Sequence, residues 1–195
     1  LEQVEIALAG PFQHENAAIA LATLEVLRGQ GFAVDERAIR DGLREVIWPG
    51  RFDVVARQPM VILDCAHNPL AVDALLETIA VELGPRVKPR LIFGCLEDKQ
   101  WERMAAMLAE RVSDATLTRA RPKRPLEPEK LLPLFSGRMP ARVIRDPLEA
   151  IAWSMARAAA DDVVLVTGSV YLVGEVYPWF LARHGRRGLF PEAPA

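Results

Sequence analysis

Met60-Val61-Ile62-Leu63-Asp64-Cys65-Ala66-His67-Asn68-Pro69 is the stretch on which the reading of this chain turns. Its first four residues are an unbroken aliphatic run, which suggests a strand covered on both faces rather than one with a wet side. Pro69 stands where a helix begins, because the N–H it lacks is one the first turn leaves unpaired anyway. Val72, Leu75, Leu76, Ile79 and Leu83 then fall at i, i+3, i+4, i+7 and i+11, a single helical face. A buried strand that leads straight into a helix is half of a parallel βαβ unit.

The same alternation continues on both sides. Phe52 to Ala56 reads as a preceding strand and Leu91 to Cys95 as the next one. Trp101, Met104, Ala105, Leu108 and Val112 repeat the helical spacing, and Ala115 to Thr118 follows as a short strand. Arg121 to Pro133 contains four prolines and reads as a loop, with one helical turn near Glu127 to Leu132. Arg142 to Ile144 is a further strand, and Leu148, Ile151, Ala152, Met155 and Ala159 form another inner helical stripe. Val163 to Val166 is the last strand, and a last helix runs from about Tyr171 to Phe180. Repeated units of this length predict an α/β fold, a Rossmann-like and mostly parallel sheet with helices on both faces. No internal repeat is present.

Upstream of the sheet the pattern changes. From Glu15 to Arg28 the residues Ala17, Ala18, Ile19, Ala20, Leu21, Ala22, Leu24, Val26 and Leu27 are apolar nearly all round, which predicts a helix buried on most faces. So short a leading segment cannot enclose such a helix by itself. Gly29 and Gly31 end it, Asp35 is the N-cap of a second helix through Val46, and Ile39, Leu43, Val46 and Ile47 are that helix's inner stripe. Trp48-Pro49-Gly50 then breaks the chain. We therefore expect a helical segment over residues 1–48 and the sheet domain over 49–195.

Composition narrows the function classes. The chain has 195 residues, with 24 basic and 26 acidic side chains and a net charge of -2. That balance argues against the broad basic surface that nucleic-acid binding uses. The longest strongly apolar stretch, Ala17 to Leu27, contains Thr23 and Glu25 and falls well short of the roughly 20 residues a membrane span requires. Cys65 and Cys95 both sit in apolar runs, so they read as reduced thiols in a cytoplasmic setting rather than as a disulfide framework. The chain opens on Leu1 with no basic n-region, which reads as a cut inside a longer protein rather than as a secretory leader.

In sheets of this kind ligands collect where strands end and helices begin. Four loops qualify: Asp64 to Pro69, Gly94 to Lys99, Thr118 to Arg124 and Thr167 to Tyr171. The first crowds a carboxylate, an imidazole and a carboxamide against a helix start that favours anions, although Asp64 or Asn68 could also simply cap that helix. In the second, Asp98 and Lys99 put a carboxylate and an ammonium on the same rim. The third carries part of a small basic cluster, Arg119, Arg121, Lys123 and Arg124. In the fourth, Gly168 lets a ligand approach the backbone beside the hydroxyls of Thr167 and Ser169. Arg51 follows the interdomain break with a rigid fork suited to phosphate or carboxylate, and His14 and Asn16 open the first helix. His184, among Arg183, Arg186 and Arg187, reads as a solvated tail. The cysteines and histidines show no metal-ligand spacing.

Taken together, these motifs resemble the C-terminal portion of the folylpolyglutamate synthase and dihydrofolate synthase family within the Mur ligase superfamily. The segments that carry the resemblance are Phe12-Gln13-His14-Glu15-Asn16-Ala17-Ala18, Trp48-Pro49-Gly50-Arg51-Phe52, Leu63-Asp64-Cys65-Ala66-His67-Asn68-Pro69, Gly94 with Asp98-Lys99, and Thr167-Gly168-Ser169-Val170-Tyr171-Leu172-Val173-Gly174. They span residues 10–176 in family order. The resemblance implies an ATP-dependent, magnesium-using ligase that joins L-glutamate to dihydropteroate or reduced folates through an acyl phosphate, acting as a monomer. It further implies that residues 1–48 end a central ATP-binding domain. Asn16, Arg51, Asp64 and Asn68 are then expected around the nucleotide, with His67 at the transferring phosphate and Lys99 and Ser169 holding the incoming amino acid. The Gly-rich P-loop of the family is absent from these residues, as are its magnesium ligands, so the 195-residue chain is expected to be inactive alone. Gln100 and Cys65 depart from the family's usual Asp and Gly. Two other readings are a non-catalytic Rossmann-like binding module and a Mur-type ligase for a cell-wall peptide.

Overall fold

In the computed structural model, residues 3–120 and 124–184 are described. Two helices, α1 (Phe12–Gly29) and α2 (Glu36–Glu45), precede the sheet. Asp35 caps α2 by accepting the Ala38 N–H at 2.6 Å, as its position before an amphipathic run predicts. There follow β1 (Asp53–Arg57), β2 (Met60–Leu63), α3 (Pro69–Glu82), β3 (Arg90–Phe93), α4 (Trp101–Ala109), β4 (Asp114–Leu117), α5 (Leu132–Ser136), β5 (Ala141–Val143), α6 (Pro147–Met155), β6 (Val163–Thr167) and α7 (Val170–His184). A 3-10 turn at Pro128–Lys130 sits where the sequence predicts one turn of helix.

The six strands form a single sheet in the order β1-β2-β6-β3-β4-β5. Edge strand β1 runs antiparallel to β2, and every other neighbouring pair is parallel. Alternation along each strand divides the core into two layers. Ile62, Leu165, Leu91, Phe93 and Leu117 face α3, α4 and α5, whereas Val61, Leu63, Val164, Val166 and Ile92 face α6 and α7. Val61, Ile62 and Leu63 have no solvent exposure, so β2 is covered on both sides as its composition predicts.

Chain direction explains the layers. From β2 to β5 the chain steps one way across the sheet and keeps its helices on one face. It then returns to insert β6 between β2 and β3, and a right-handed crossover places the returning helix on the opposite face. The helices that follow β2 and β3 therefore leave on one side and the helix that follows β6 on the other. The crevice opens where they part, at the carboxyl ends of these three strands.

Three expectations need correction. The helix expected to be buried on most faces, α1, buries only Gln13 and Ala17, and Ile19 and Val26 are 67% and 61% exposed. It flanks a cleft instead of lying between layers. Ile47 is 72% exposed because α2 ends at Glu45, before the residue can join its inner stripe. On α6 the inward face is Pro147, Ala150, Ile151 and Ser154, while Leu148 and Ala152 meet solvent, as does Ala159 beyond the helix end. Asp146 caps α6 through the Leu148 and Glu149 N–H groups, so the helix begins at Pro147, and the face packed on the sheet lies one residue before most of the predicted stripe. Arg121, Lys123, Arg186 and Arg187 lie outside the described residues, as does the side chain of His184.

Candidate functional site

The loop after β2 is knitted into its surroundings. Buried Asp64 accepts the Ala66 N–H on one carboxylate oxygen and the Phe52 N–H on the other, each at 2.8 Å. The second bond reaches back across the chain break, so the Trp48–Phe52 turn is held against the β2 end. Gly50 strengthens the junction. Its carbonyl accepts the Cys65 N–H at 2.9 Å, its φ is +69°, and a Cβ there would stand 2.7 Å from the Cys65 sulfur, so only glycine fits. Burial pushes the Asp64 carboxyl above the ordinary carboxylate range, against the pull of the two N–H bonds and the nearby Arg51 and His67. Burial likewise raises the Cys65 thiol to about 11, so at neutral pH it is a protonated, unreactive wall.

Arg51, on the same turn, is half-buried and forms no ion pair among the described residues. A guanidinium positioned by its backbone but left without a carboxylate is an anion receptor in waiting. His67 is oriented by a 2.8 Å contact between its Nδ1 and the Cys65 carbonyl. A carbonyl can only accept, so Nδ1 donates in this contact and Nε2 is left free of it. Asn68 caps α3 by accepting the Ala71 N–H at 2.8 Å, so the cap is Asn68 and not Asp64.

Strand β6 closes the crevice from the other side. Gly168 donates its N–H to the Ala66 carbonyl at 3.0 Å, which ties the β6 and β2 loops together. Its φ is +111°, and a Cβ would lie 2.6 Å from the Phe93 ring and 2.7 Å from the Gly94 carbonyl oxygen. Ser169 is buried, and its hydroxyl accepts the Tyr171 N–H at 3.1 Å at the start of α7. On the third loop Lys99 stands 3.5 Å from the exposed Asp98. The segment after β4 pins this loop: the Glu97 N–H bonds to the Arg124 carbonyl, the Leu126 N–H to the Cys95 carbonyl, and Lys130 to Glu97 at 2.7 Å.

A cleft of about 710 Å³ lies between α1, α2 and the β2 loop, and Asn16, Arg51, Asp64 and Asn68 all line it. The four residues expected around a nucleotide thus share one cavity, although they come from three separate segments. His67, Lys99 and Ser169 are not in its lining. Among the described residues no group of three or more His, Cys, Asp or Glu side chains is gathered as a cation would require.

Residues 50–170 match the family described as Mur ligase, glutamate ligase domain. The chain belongs to that family. Over 173 residues it is 39% identical to a probable bifunctional folylpolyglutamate synthase/dihydropteroate synthase of Halobacterium salinarum, covering 88% of this chain and 20% of that protein. It is 38% identical to the dihydrofolate synthase/folylpolyglutamate synthase of Escherichia coli, over 83% of this chain and 36% of the relative. The solved structure of E. coli FolC in complex with DHPP and ADP superposes with a TM-score of 0.78 at 35% identity, across 94% of this chain and 42% of that one. A Yersinia pestis bifunctional folylpolyglutamate synthase/dihydrofolate synthase complexed with AMPPNP and Mn ion gives a TM-score of 0.78 at 34% identity, over 92% of this chain and 41% of the other. This glutamate ligase domain therefore spans from about a fifth to about two fifths of these relatives' lengths.

Several cleft residues escaped the sequence reading. Gln13, Phe12, Leu43 and Thr78 line the cavity, and none was expected as a site residue, although Phe12 and Gln13 belong to a segment that carries the family resemblance. For Gln13 the signal was available: it precedes Asn16 by three residues on one helix, which places both side chains on the same face.

Proposed function

We propose that this chain is the C-terminal part of an ATP-dependent ligase that adds L-glutamate to dihydropteroate or reduced folates. On this reading residues 1–48 end the central ATP-binding domain and 49–195 form the ligase domain, in a cytoplasmic, monomeric enzyme. The observation that carries the proposal is the shared cleft, which Asn16, Arg51, Asp64 and Asn68 all line, with Arg51 in no ion pair among the described residues. Relatives named for both synthase activities, and neighbours solved with ADP or with AMPPNP and Mn ion, support it. The free thiols Cys65 and Cys95 suit a reducing compartment.

The chemistry assigns each residue a task. ATP supplies the phosphoryl group that activates the pterin substrate's carboxylate, and the magnesium expected with it belongs to the part of the enzyme that carries the P-loop. Arg51 offsets phosphate charge with a guanidinium already in place, so no reorganisation is needed when charge develops. Asp64 holds the turn that carries Arg51 and reaches the nucleotide from within the cleft, while Asn16 and Asn68 border it. His67 Nε2 takes a proton from the glutamate ammonium, directly or through a hydrogen-bond partner, which frees the amine lone pair to attack the acyl phosphate. Lys99 and the Ser169 hydroxyl, which retains its own proton to donate, bind the carboxylates of glutamate and hold its amine toward the acyl phosphate.

A cell-wall peptide ligase is the second reading. It rests on the 35% identity, over 177 residues, with the UDP-N-acetylmuramoyl-L-alanyl-D-glutamate--2,6-diaminopimelate ligase of Alkalilimnicola ehrlichii. The deciding experiment is ADP release with Mg-ATP and L-glutamate by the longer protein of which this chain is expected to form part. Dihydropteroate and tetrahydrofolate are offered in separate reactions. Release with either, and none from the 195-residue chain alone, is the expected result. Release that requires a muramoyl dipeptide and ignores both pterins would move the assignment to the cell wall.

A further inference from the structure

Gln3, Phe52 and Arg124 are the residues other than glycine with left-handed backbone among those described, and of the three only Phe52 is buried. Its φ is +46° and that of Gly50 is +69°, so Arg51 sits between two left-handed neighbours. An aromatic L-residue disfavours that region because its Cβ crowds the following carbonyl oxygen, whereas glycine enters it freely and asparagine more readily than most. Two restraints keep Phe52 there. Its N–H donates to the buried Asp64 carboxylate at 2.8 Å, and its ring, with the residue 7% exposed, joins the core layer of Ile62, Leu75 and Leu76. Backbone strain that the surroundings over-determine is concentrated at functional sites. Here it adjoins a residue with a choice to make: Arg51 borders both the 710 Å³ cleft and a second cavity of about 520 Å³ that reaches Met60 and Tyr177. The backbone of the turn decides which of the two the guanidinium serves.

We infer that Phe52 is a positioning residue: its ring anchors the strained turn in the core and so holds the Arg51 guanidinium toward the phosphates in the cleft. This rests on the reading that the cleft holds the nucleotide. The bond to Asp64 uses only a backbone N–H, which any residue except proline would offer, so the side chain at position 52 acts through its packing. Glycine would adopt the same turn without strain but would leave it free to leave that conformation again. The ring supplies the hold that a permissive residue lacks.

The test is ADP affinity by calorimetry in a double-mutant cycle with Arg51→Ala, each variant studied at a temperature where circular dichroism shows it folded. Arg51→Ala alone should weaken ADP binding by about tenfold or more. Phe52→Asn tolerates the left-handed turn but lacks the anchor, and should weaken binding by about fivefold in the wild-type background and not at all in Arg51→Ala. Phe52→Leu keeps an apolar anchor and should restore most of the affinity. Phe52→Val, apolar but β-branched and so least tolerant of positive φ, should lose affinity as Phe52→Asn does, and replaces it in the cycle where Phe52→Asn does not fold. Wild-type affinity in Phe52→Asn or Phe52→Val overturns the inference, as does a loss that persists undiminished in the Arg51→Ala background, which would show a merely structural role. ADP binding that Arg51→Ala leaves unchanged also overturns it and leaves the nucleotide reading intact. Failure of the wild-type chain to bind ADP removes the nucleotide reading and this inference with it.

Discussion

Arg51 shows how much a single residue can depend on its backbone. Its turn is held from behind by the bond from the Phe52 N–H to Asp64 and by Gly50 packed on Cys65, yet its guanidinium meets no carboxylate among the described residues. Arg51→Ala should thus weaken ADP binding by about tenfold or more, the worth of a charge-assisted hydrogen bond, while leaving the urea midpoint nearly unchanged. A large loss of stability in this variant would mean that Arg51 is structural. Asp64 behaves differently. Its folded pKa is raised, chiefly by burial, so the proton is bound more tightly in the folded state than in the unfolded chain. The sign follows: its contribution to stability is full below the unfolded carboxylate pKa and is lost as pH rises through the folded value. Urea unfolding of wild type and Asp64→Asn across acid to neutral pH should show the wild type losing ground to the variant as pH rises. The opposite slope would show that the two backbone bonds outweigh burial.

At the scale of the element, the β6–α7 junction is the most constrained. Gly168 combines a φ of +111° with close approach to the Phe93 ring and the Gly94 carbonyl, so a methyl group cannot be accommodated without moving backbone. Gly168→Ala should cost roughly 2 kcal/mol or more in urea unfolding. It should also displace the Ala66 carbonyl, which accepts the Gly168 N–H, so ADP affinity should fall with stability. Sequence reasoning finds these elements because burial on both faces leaves an unambiguous signature, as in β2. It fails on α6, where the apolar residues allow more than one face and packing against the sheet chooses between them.

For the whole molecule, the topology does what no single element can. The return of β6 between β2 and β3 brings Gly168, Ala66 and Gly94 together from positions up to 102 residues apart in the chain. A ligand that bridges α1 and the β2 loop should stabilise the folded chain as a unit. ADP at ten times its dissociation constant adds about 1.4 kcal/mol, which for a domain of this size is a rise in melting temperature of about 3–6 °C. Differential scanning calorimetry with and without ADP measures it, and no shift at saturating ADP would argue against the cleft as a nucleotide site.

The sequence by itself determined the alternation of strands and helices, the cover over both faces of β2, the break at Trp48-Pro49-Gly50 and the loops at which polar residues gather. These are local properties: periodicity, propensity and turn chemistry act between near neighbours, and they are written into contiguous residues. Only the tertiary structure decided that Asn16, Arg51, Asp64 and Asn68 share a cavity while Lys99 and Ser169 stand apart from it. It alone decided that Asp64 serves the Phe52 turn rather than a helix cap and that α1 flanks a cleft with an open apolar face. Those outcomes depend on the order in which strands pair and on the hand of the crossovers that join them, and non-local pairing leaves no periodic trace in the residues it brings together.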